Sequence, residues 1–141
     1  MERKYKILIA DDNQDDLNTY SKFFNEKGFI VDIAHDGAQA LDKLRLDKEF
    51  DVALIDLKMP KINGIDMIKK AHQAGNNADM IILSDPEEYD KYDAIAAIKV
   101  GVKDWFDKPK LEMPKLFARV KELAEGIPLE EVSRILSVIR D

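Results

Sequence analysis

Cysteine is absent from the sequence. That removes disulfide scaffolds, thiolate nucleophiles and cysteine-based zinc sites, and nothing in the chain calls for an oxidising compartment. Long apolar runs are missing too. None approaches the roughly 20 residues of a membrane span, and the opening Met1-Glu2-Arg3-Lys4-Tyr5 lacks the h-region of a signal peptide. The expectation is a cytoplasmic protein with no membrane association. Positive charge is in short supply: 22 Lys and Arg face 28 Asp and Glu, for a net charge of −6 and a pI of about 5.0. Direct nucleic-acid binding needs clustered Lys and Arg against phosphates, so this balance argues against it. It suits a protein that recruits a cation. The only two histidines, His35 and His72, have no second His or Cys at ligand spacing, so an imidazole metal site is not expected.

What is present is an ordinary globular balance, 45% hydrophobic and 35% charged over 141 residues, the size of one domain. Short β-branched runs alternate with longer amphipathic stretches. Lys6-Ile7-Leu8-Ile9-Ala10 reads as a buried strand, as do Phe29 to Ala34, Val52 to Ile55 and Met80 to Leu83, with a short fifth at Asp104 to Asp107. Between them, helices carry Leu17, Tyr20, Phe23 and Phe24; Ala38, Leu41 and Leu44; and Ile65, Ile68 and Ala71. Pro86 is expected to open a fourth helix whose stripe of Tyr89, Tyr92, Ile95 and Ala96 faces the core. A fifth runs from about Leu111 to Glu125. Strands alternating with helices predict an α/β fold, a parallel sheet covered on both faces by right-handed crossovers.

Ligands of such sheets bind beyond the carboxyl ends of the strands. Those ends deliver Asp11 and Asp12, then Asp56, Ser84 and Lys108. Three converging carboxylates repel one another, and at least one is expected to hold its proton unusually tightly. A hard divalent cation resolves the conflict, because magnesium takes oxygen ligands and needs few carboxylates beside a phosphate. Phosphoryl transfer asks mainly for positioning and charge neutralisation, and an Asp carboxylate is a competent nucleophile. Asp56 fits that role, Lys108 supplies positive charge to a phosphoryl oxygen, and Ser84 supplies a hydroxyl.

The ordered series Ile-Leu-Ile-Ala-Asp11-Asp12, Asp56-Leu-Lys-Met-Pro60 with Gly64, Ile-Ile-Leu-Ser84 and Lys108-Pro109 resembles the receiver domain of response regulators, over about residues 5 to 125. The resemblance implies a flavodoxin-like (βα)5 doubly wound sheet of five parallel strands in the order 2-1-3-4-5. It implies that Asp56 is the phosphoacceptor and that Asp11, Asp12, Asp56 and the main-chain carbonyl of Lys58 hold Mg2+, or Mn2+ in its place. Ser84 and Trp105 then take the switch positions, Lys108 contacts the phosphoryl group, and the Lys108–Pro109 bond is cis. The implied partners are a sensor histidine kinase or phosphotransfer protein as donor, and an effector protein or an output domain absent from this chain. Such a site promotes its own phosphorylation and dephosphorylation, and it serves signalling.

Two departures stand out. Asp85 follows Ser84 where the family usually carries Ala or Gly, and a carboxylate there is expected either to slow phosphorylation or shift the phosphorylated equilibrium, or simply to point to solvent. Trp105 stands where the family carries Tyr or Phe. A degenerate receiver that docks partners without phosphorylation is therefore the alternative. A small α/β phosphatase or nucleotide-binding protein is the other, though the acidic, glycine-free Asp11-Asp12-Asn13-Gln14-Asp15-Asp16 cannot cradle phosphate with backbone N–H groups. Beyond the domain expected over 1–125, residues 126–141 hold an extra C-terminal helix or linker, with Pro128 in its first turn and Leu129, Val132, Ile135, Leu136 and Ile139 at helical spacing. It is expected to fold back on the domain, pair with a copy of itself in a homodimer, or lead to a further domain.

Overall fold

The computed structural model describes the backbone of residues 4–126 and 129–140 and the side chains of 4–126 and 133–139. Five strands form one parallel sheet: β1 (Lys6–Ala10), β2 (Ile30–Ala34), β3 (Val52–Asp56), β4 (Asp79–Ser84) and β5 (Asp104–Asp107), in the order β2-β1-β3-β4-β5. The helices are α1 (Gln14–Glu26), α2 (Gly37–Leu46), α3 (Gly64–Gln73), α4 (Lys91–Lys99), α5 (Met113–Glu125) and α6 (Leu129–Arg140). This is the flavodoxin-like α/β fold with an added C-terminal helix. Among the described residues, no helix is long and apolar enough to cross a membrane.

The two-residue period of a strand divides its side chains between two cores. Leu8, Ala10, Ala53, Ile55, Met80 and Ile82 face α2 and α3, with Leu41, Leu44, Met67 and Ile68 packed over them. Ile7, Ile9, Val52, Leu54, Ile81 and Leu83 face the opposite way, against Leu17 and Phe24 of α1 and Leu116 and Val120 of α5. Because the central strands are buried on both faces, they read as unbroken apolar runs. From β1 the chain winds first to β2 and then back across to β3, so neighbouring β1 and β3 leave in opposite directions. Their carboxyl ends border the crevice where Asp11, Asp12 and Asp56 stand.

Helix starts are set by short polar side chains that accept from backbone N–H groups left free in the first turn. Asn13 accepts from Asp16 at 3.0 Å, Asp36 from Gln39 at 2.8 Å and Asn63 from Asp66 at 2.9 Å. Asp90 and Asp93 form a reciprocal capping box that starts α4. That cap corrects the expected helix from Pro86. Pro86–Glu88 is a single 3-10 turn, and Tyr89 is extended at φ −143° and ψ 160°. Of the expected core stripe, Tyr89 and Ala96 pack against the core, and the placing of Tyr92 and Ile95 there is corrected. Tyr92, Ile95 and Ile98 face solvent, 69%, 46% and 76% exposed, while Ala97 is buried, because no neighbouring element covers that face among the described residues.

In α6, Ile135, Leu136, Val138 and Ile139 are exposed, so these side chains do not fold back into either core. Ile127 and Pro128, expected to open that helix, lie outside the described residues, as do the side chains of Leu129 and Val132.

Gly64 holds the loop after β3 in shape. Its N–H bonds the Leu57 carbonyl at 2.8 Å, and a Cβ there would meet the Asp56 carbonyl oxygen at 2.6 Å. No side chain fits so close to main chain without moving it. Gly64→Ala is expected to destabilise the fold by roughly 1–3 kcal/mol, the usual range for overpacking a tight site, read from the urea unfolding midpoint.

Candidate functional site

Asp56 is the last residue of β3, and both the strand and the start of its loop are buried. Its carboxylate is therefore held at the sheet edge with 4% exposure. Asp11 and Asp12 follow β1, Asp11 buried and Asp12 exposed. One carboxylate oxygen from each of Asp11, Asp12 and Asp56 lies within 4.8 Å of the others. Asp11 Oδ1 accepts from the Asn13 N–H at 2.9 Å, which fixes its orientation.

Lys108, just beyond β5, extends over this group. Its Nζ donates to Asp11 Oδ2 at 2.7 Å and to Asp16 Oδ2 at 3.0 Å, and it stands 3.7 Å from Asp56 Oδ2. Burial alone would lower the Lys108 ammonium. The bond to Asp11, the Asp11 and Asp56 charges and the bond to Asp16 outweigh it, so the group stays above its ordinary value. Asp56 moves the other way. Burial first, then the charge of Asp11, push its carboxyl up to about 8 against the opposing pull of Lys108.

A buried polar atom without a partner is uncommon, and Asp56 Oδ1 has none. An orphaned carboxylate oxygen within reach of two further carboxylates is the donor set that a hard divalent cation prefers. The residues present fit such an ion. Lys58 lies two residues past Asp56 with its side chain exposed.

Ser84 ends β4 fully buried, and its Oγ accepts a hydrogen bond from Trp105 Nε1 at 3.1 Å. The serine proton is left free to point elsewhere. The Trp105 ring lies against Tyr89, centroids 4.6 Å apart, and the Tyr89 hydroxyl donates to Asp107 Oδ1 at 2.9 Å. Trp105 thus packs and hydrogen-bonds at once. The expected cis bond is corrected: Lys108–Pro109 is trans. Pro109 sits in the 3-10 turn Lys108–Lys110, which Leu111 N–H closes onto the Lys108 carbonyl at 3.2 Å.

The structure therefore brings Asp11, Asp12, Asp56 and Lys108 together, with Ser84 joined to Trp105 at the same sheet edge. Two further carboxyl groups belong to this neighbourhood and were not anticipated. Asp16 reaches Lys108 from the first turn of α1, across 92 residues of chain that no local spacing signals. Glu88 comes back beside Asp85 because the 3-10 turn bonds Glu88 N–H to the Asp85 carbonyl at 2.9 Å. Burial, and then Asp85, raise the Glu88 carboxyl above its usual value. Its Oε2 is buried without a partner.

The sequence profile of the response regulator receiver domain matches residues 7–121. The chain belongs to this family. The receiver is 31% identical over 135 residues to response regulator ArlR of Staphylococcus epidermidis, covering 96% of this chain and 59% of that protein. It is 33% identical over 118 residues to the transcriptional regulatory protein CpxR of Escherichia coli K12, covering 84% of this chain and 48% of that protein. The chain thus spans about half the length of these curated relatives. Among solved structures, the receiver domain of the Francisella response regulator 1452 superimposes with a TM-score of 0.77 at 30% identity, covering 86% of this chain and 98% of that one.

The raised Asp56 carboxyl has a measurable consequence. Folding lifts it from 3.8 to about 8, so between those values the native receiver binds more protons than the unfolded chain. Stability without a divalent cation then falls as pH rises through that window. Asp56→Asn is expected to flatten this slope and to raise the melting temperature at pH 8 by at least about 3 °C, the shift that roughly 1 kcal/mol brings to a domain of this size. Thermal unfolding of both proteins at pH 5 and pH 8 in a chelating buffer measures it.

Proposed function

We propose that this receiver accepts a phosphoryl group on Asp56 from a phosphohistidine of a sensor histidine kinase or phosphotransfer protein, and that the modification switches its contacts with an effector. The observation that carries the reading is the buried, partly orphaned Asp56 carboxylate, set between two carboxylates and one ammonium. In the reaction an Asp56 oxygen forms the new bond to phosphorus while the phosphorus–nitrogen bond of the donor breaks. The imidazole nitrogen keeps that electron pair. Asp11, Asp12, Asp56 and the Lys58 carbonyl would hold Mg2+ or Mn2+, which supplies charge neutralisation between carboxylates and phosphoryl oxygens. Lys108 donates to a phosphoryl oxygen, and the free Ser84 proton donates to the same group after transfer. The same charges serve a water that later releases the phosphate.

Residues 1–125 are the receiver unit in this reading, and 126–141 lead away from it as a helix or linker. The name of CpxR suits an output in transcription, carried by a segment beyond those matched here. A site in the cytoplasm, where histidine kinases present their phosphohistidine, accords with the composition.

A second reading has a specific observation behind it. Asp85 follows Ser84 directly and Glu88 returns beside Asp85, and this added acidity suits a receiver that docks partners without phosphorylation.

Incubation with Mg2+ and acetyl phosphate, followed by intact-mass measurement, separates the two. One phosphoryl adduct is expected on the wild type, none on Asp56→Asn and none with a chelator. A wild type without an adduct favours the docking reading. Lys108→Ala is expected to slow the reaction by about 100-fold, the effect of losing one preorganised charge-stabilising donor. Asp85→Ala is expected to speed it by about twofold to fivefold, as removal of one solvent-screened like charge does.

A further inference from the structure

Lys108 has three ion-pair partners among the described residues, and two of them belong to the acidic trio. Asp11 and Asp56 are the carboxylates that a cation and a phosphoryl group would engage. The third is Asp16, whose Oδ2 lies 3.0 Å from Lys108 Nζ. Its place is not accidental packing of a loose side chain. The Asp16 backbone N–H is held by the Asn13 cap at 3.0 Å, so the residue is fixed in the first turn of α1. From there its carboxylate reaches across to the residue that follows β5. An ammonium has three hydrogens to give. Asp11 takes one and Asp16 another, which leaves the third unassigned with Asp56 Oδ2 3.7 Å from the nitrogen.

We propose that Asp16 is a positioning residue for phosphoryl transfer: it anchors the Lys108 ammonium at the distance that leaves one N–H for the phosphoryl group on Asp56. The inference rests on the reading of Asp56 as phosphoacceptor and adds a role outside the acidic trio. Lysine has a long, flexible stem, and fixing it is entropically costly. While Asp11 serves the trio, Asp16 keeps that stem ordered. Its own negative charge works the other way, repelling an incoming donor. Two facts make that opposing effect the smaller one. The carboxylate is 37% exposed and screened by solvent, whereas its bond to Lys108 is direct and lies against a side chain with 12% exposure.

The test compares wild type, Asp16→Asn and Asp16→Glu. Phosphorylation by acetyl phosphate with Mg2+ is followed by intact mass across donor concentrations. Binding of beryllofluoride with Mg2+, as a mimic of the phosphoryl group, is followed through the fluorescence of the single tryptophan. Calorimetry gives the affinity for Mg2+ alone. Asp16→Asn is expected to lower the maximal rate and the beryllofluoride affinity each about tenfold, as loss of a charge-assisted bond does. Donor half-saturation and Mg2+ affinity are expected to hold within about twofold, and Asp16→Glu to restore both losses to within about threefold, because only the anchor changes. Equal behaviour of Asp16→Asn and wild type overturns the proposal, as does a Mg2+ affinity that falls in step with the rate, or a Glu variant that restores neither. A wild type that gains no phosphate overturns the functional reading itself, and the role of Asp16 with it. A phosphorylated wild type matched by Asp16→Asn overturns only the latter.

Discussion

The site depends on one imbalance: several carboxylates crowd the sheet edge, and among the described residues one ammonium, that of Lys108, opposes them. Asp56 bears most of the strain. It is buried where charge is poorly solvated, next to Asp11, and Lys108 stands at 3.7 Å, too far for a hydrogen bond. Its carboxyl therefore keeps a proton to an unusually high pH and leaves Oδ1 without a partner. A group held in this way gains more from a neighbouring cation than a solvated carboxylate would. The packing around the site maintains the imbalance. The loop after Asp56 passes so close to Gly64 that no side chain fits, and Asp11 is tied by the Asn13 N–H.

From the same edge a chain of contacts runs outward along β4 and β5. Ser84 is bonded to Trp105, Trp105 lies on Tyr89, and Tyr89 is bonded to Asp107. Tyr89 also lies just before α4, which shows Tyr92, Ile95 and Ile98 to solvent. The buried serine is thus joined through the indole to the aromatic pair beside an exposed apolar face. The indole bond makes this link direct. A phenylalanine at 105 would keep the ring contact and lose the bond to Ser84.

Much of the fold was legible before any coordinates. β1 runs over Lys6–Ala10 as read from the sequence, and β3 and β4 differ from expectation by a residue or two, because doubly buried strands write their burial as unbroken apolar runs. The opening of α4 was not legible. Pro86 is compatible with a helix start, but the capping box of Asp90 and Asp93 competes with it and wins, and Tyr92, Ile95 and Ile98 of the helix it starts face solvent. Apolar residues at helical spacing mark one face of a helix; they do not say whether another element covers it.

The sequence by itself determined the alternation of elements, the parallel sheet and the acidic and hydroxyl groups that the strands end on, since these follow from local periodicity and from the order of residues along each strand. Tertiary structure alone decided that Asp16 meets Lys108 and that Trp105 bonds Ser84. Asp16 and Lys108 are 92 residues apart in the chain. No local pattern carries such a pairing, because it is the winding of β1 and β5 into one sheet that sets the distance between them.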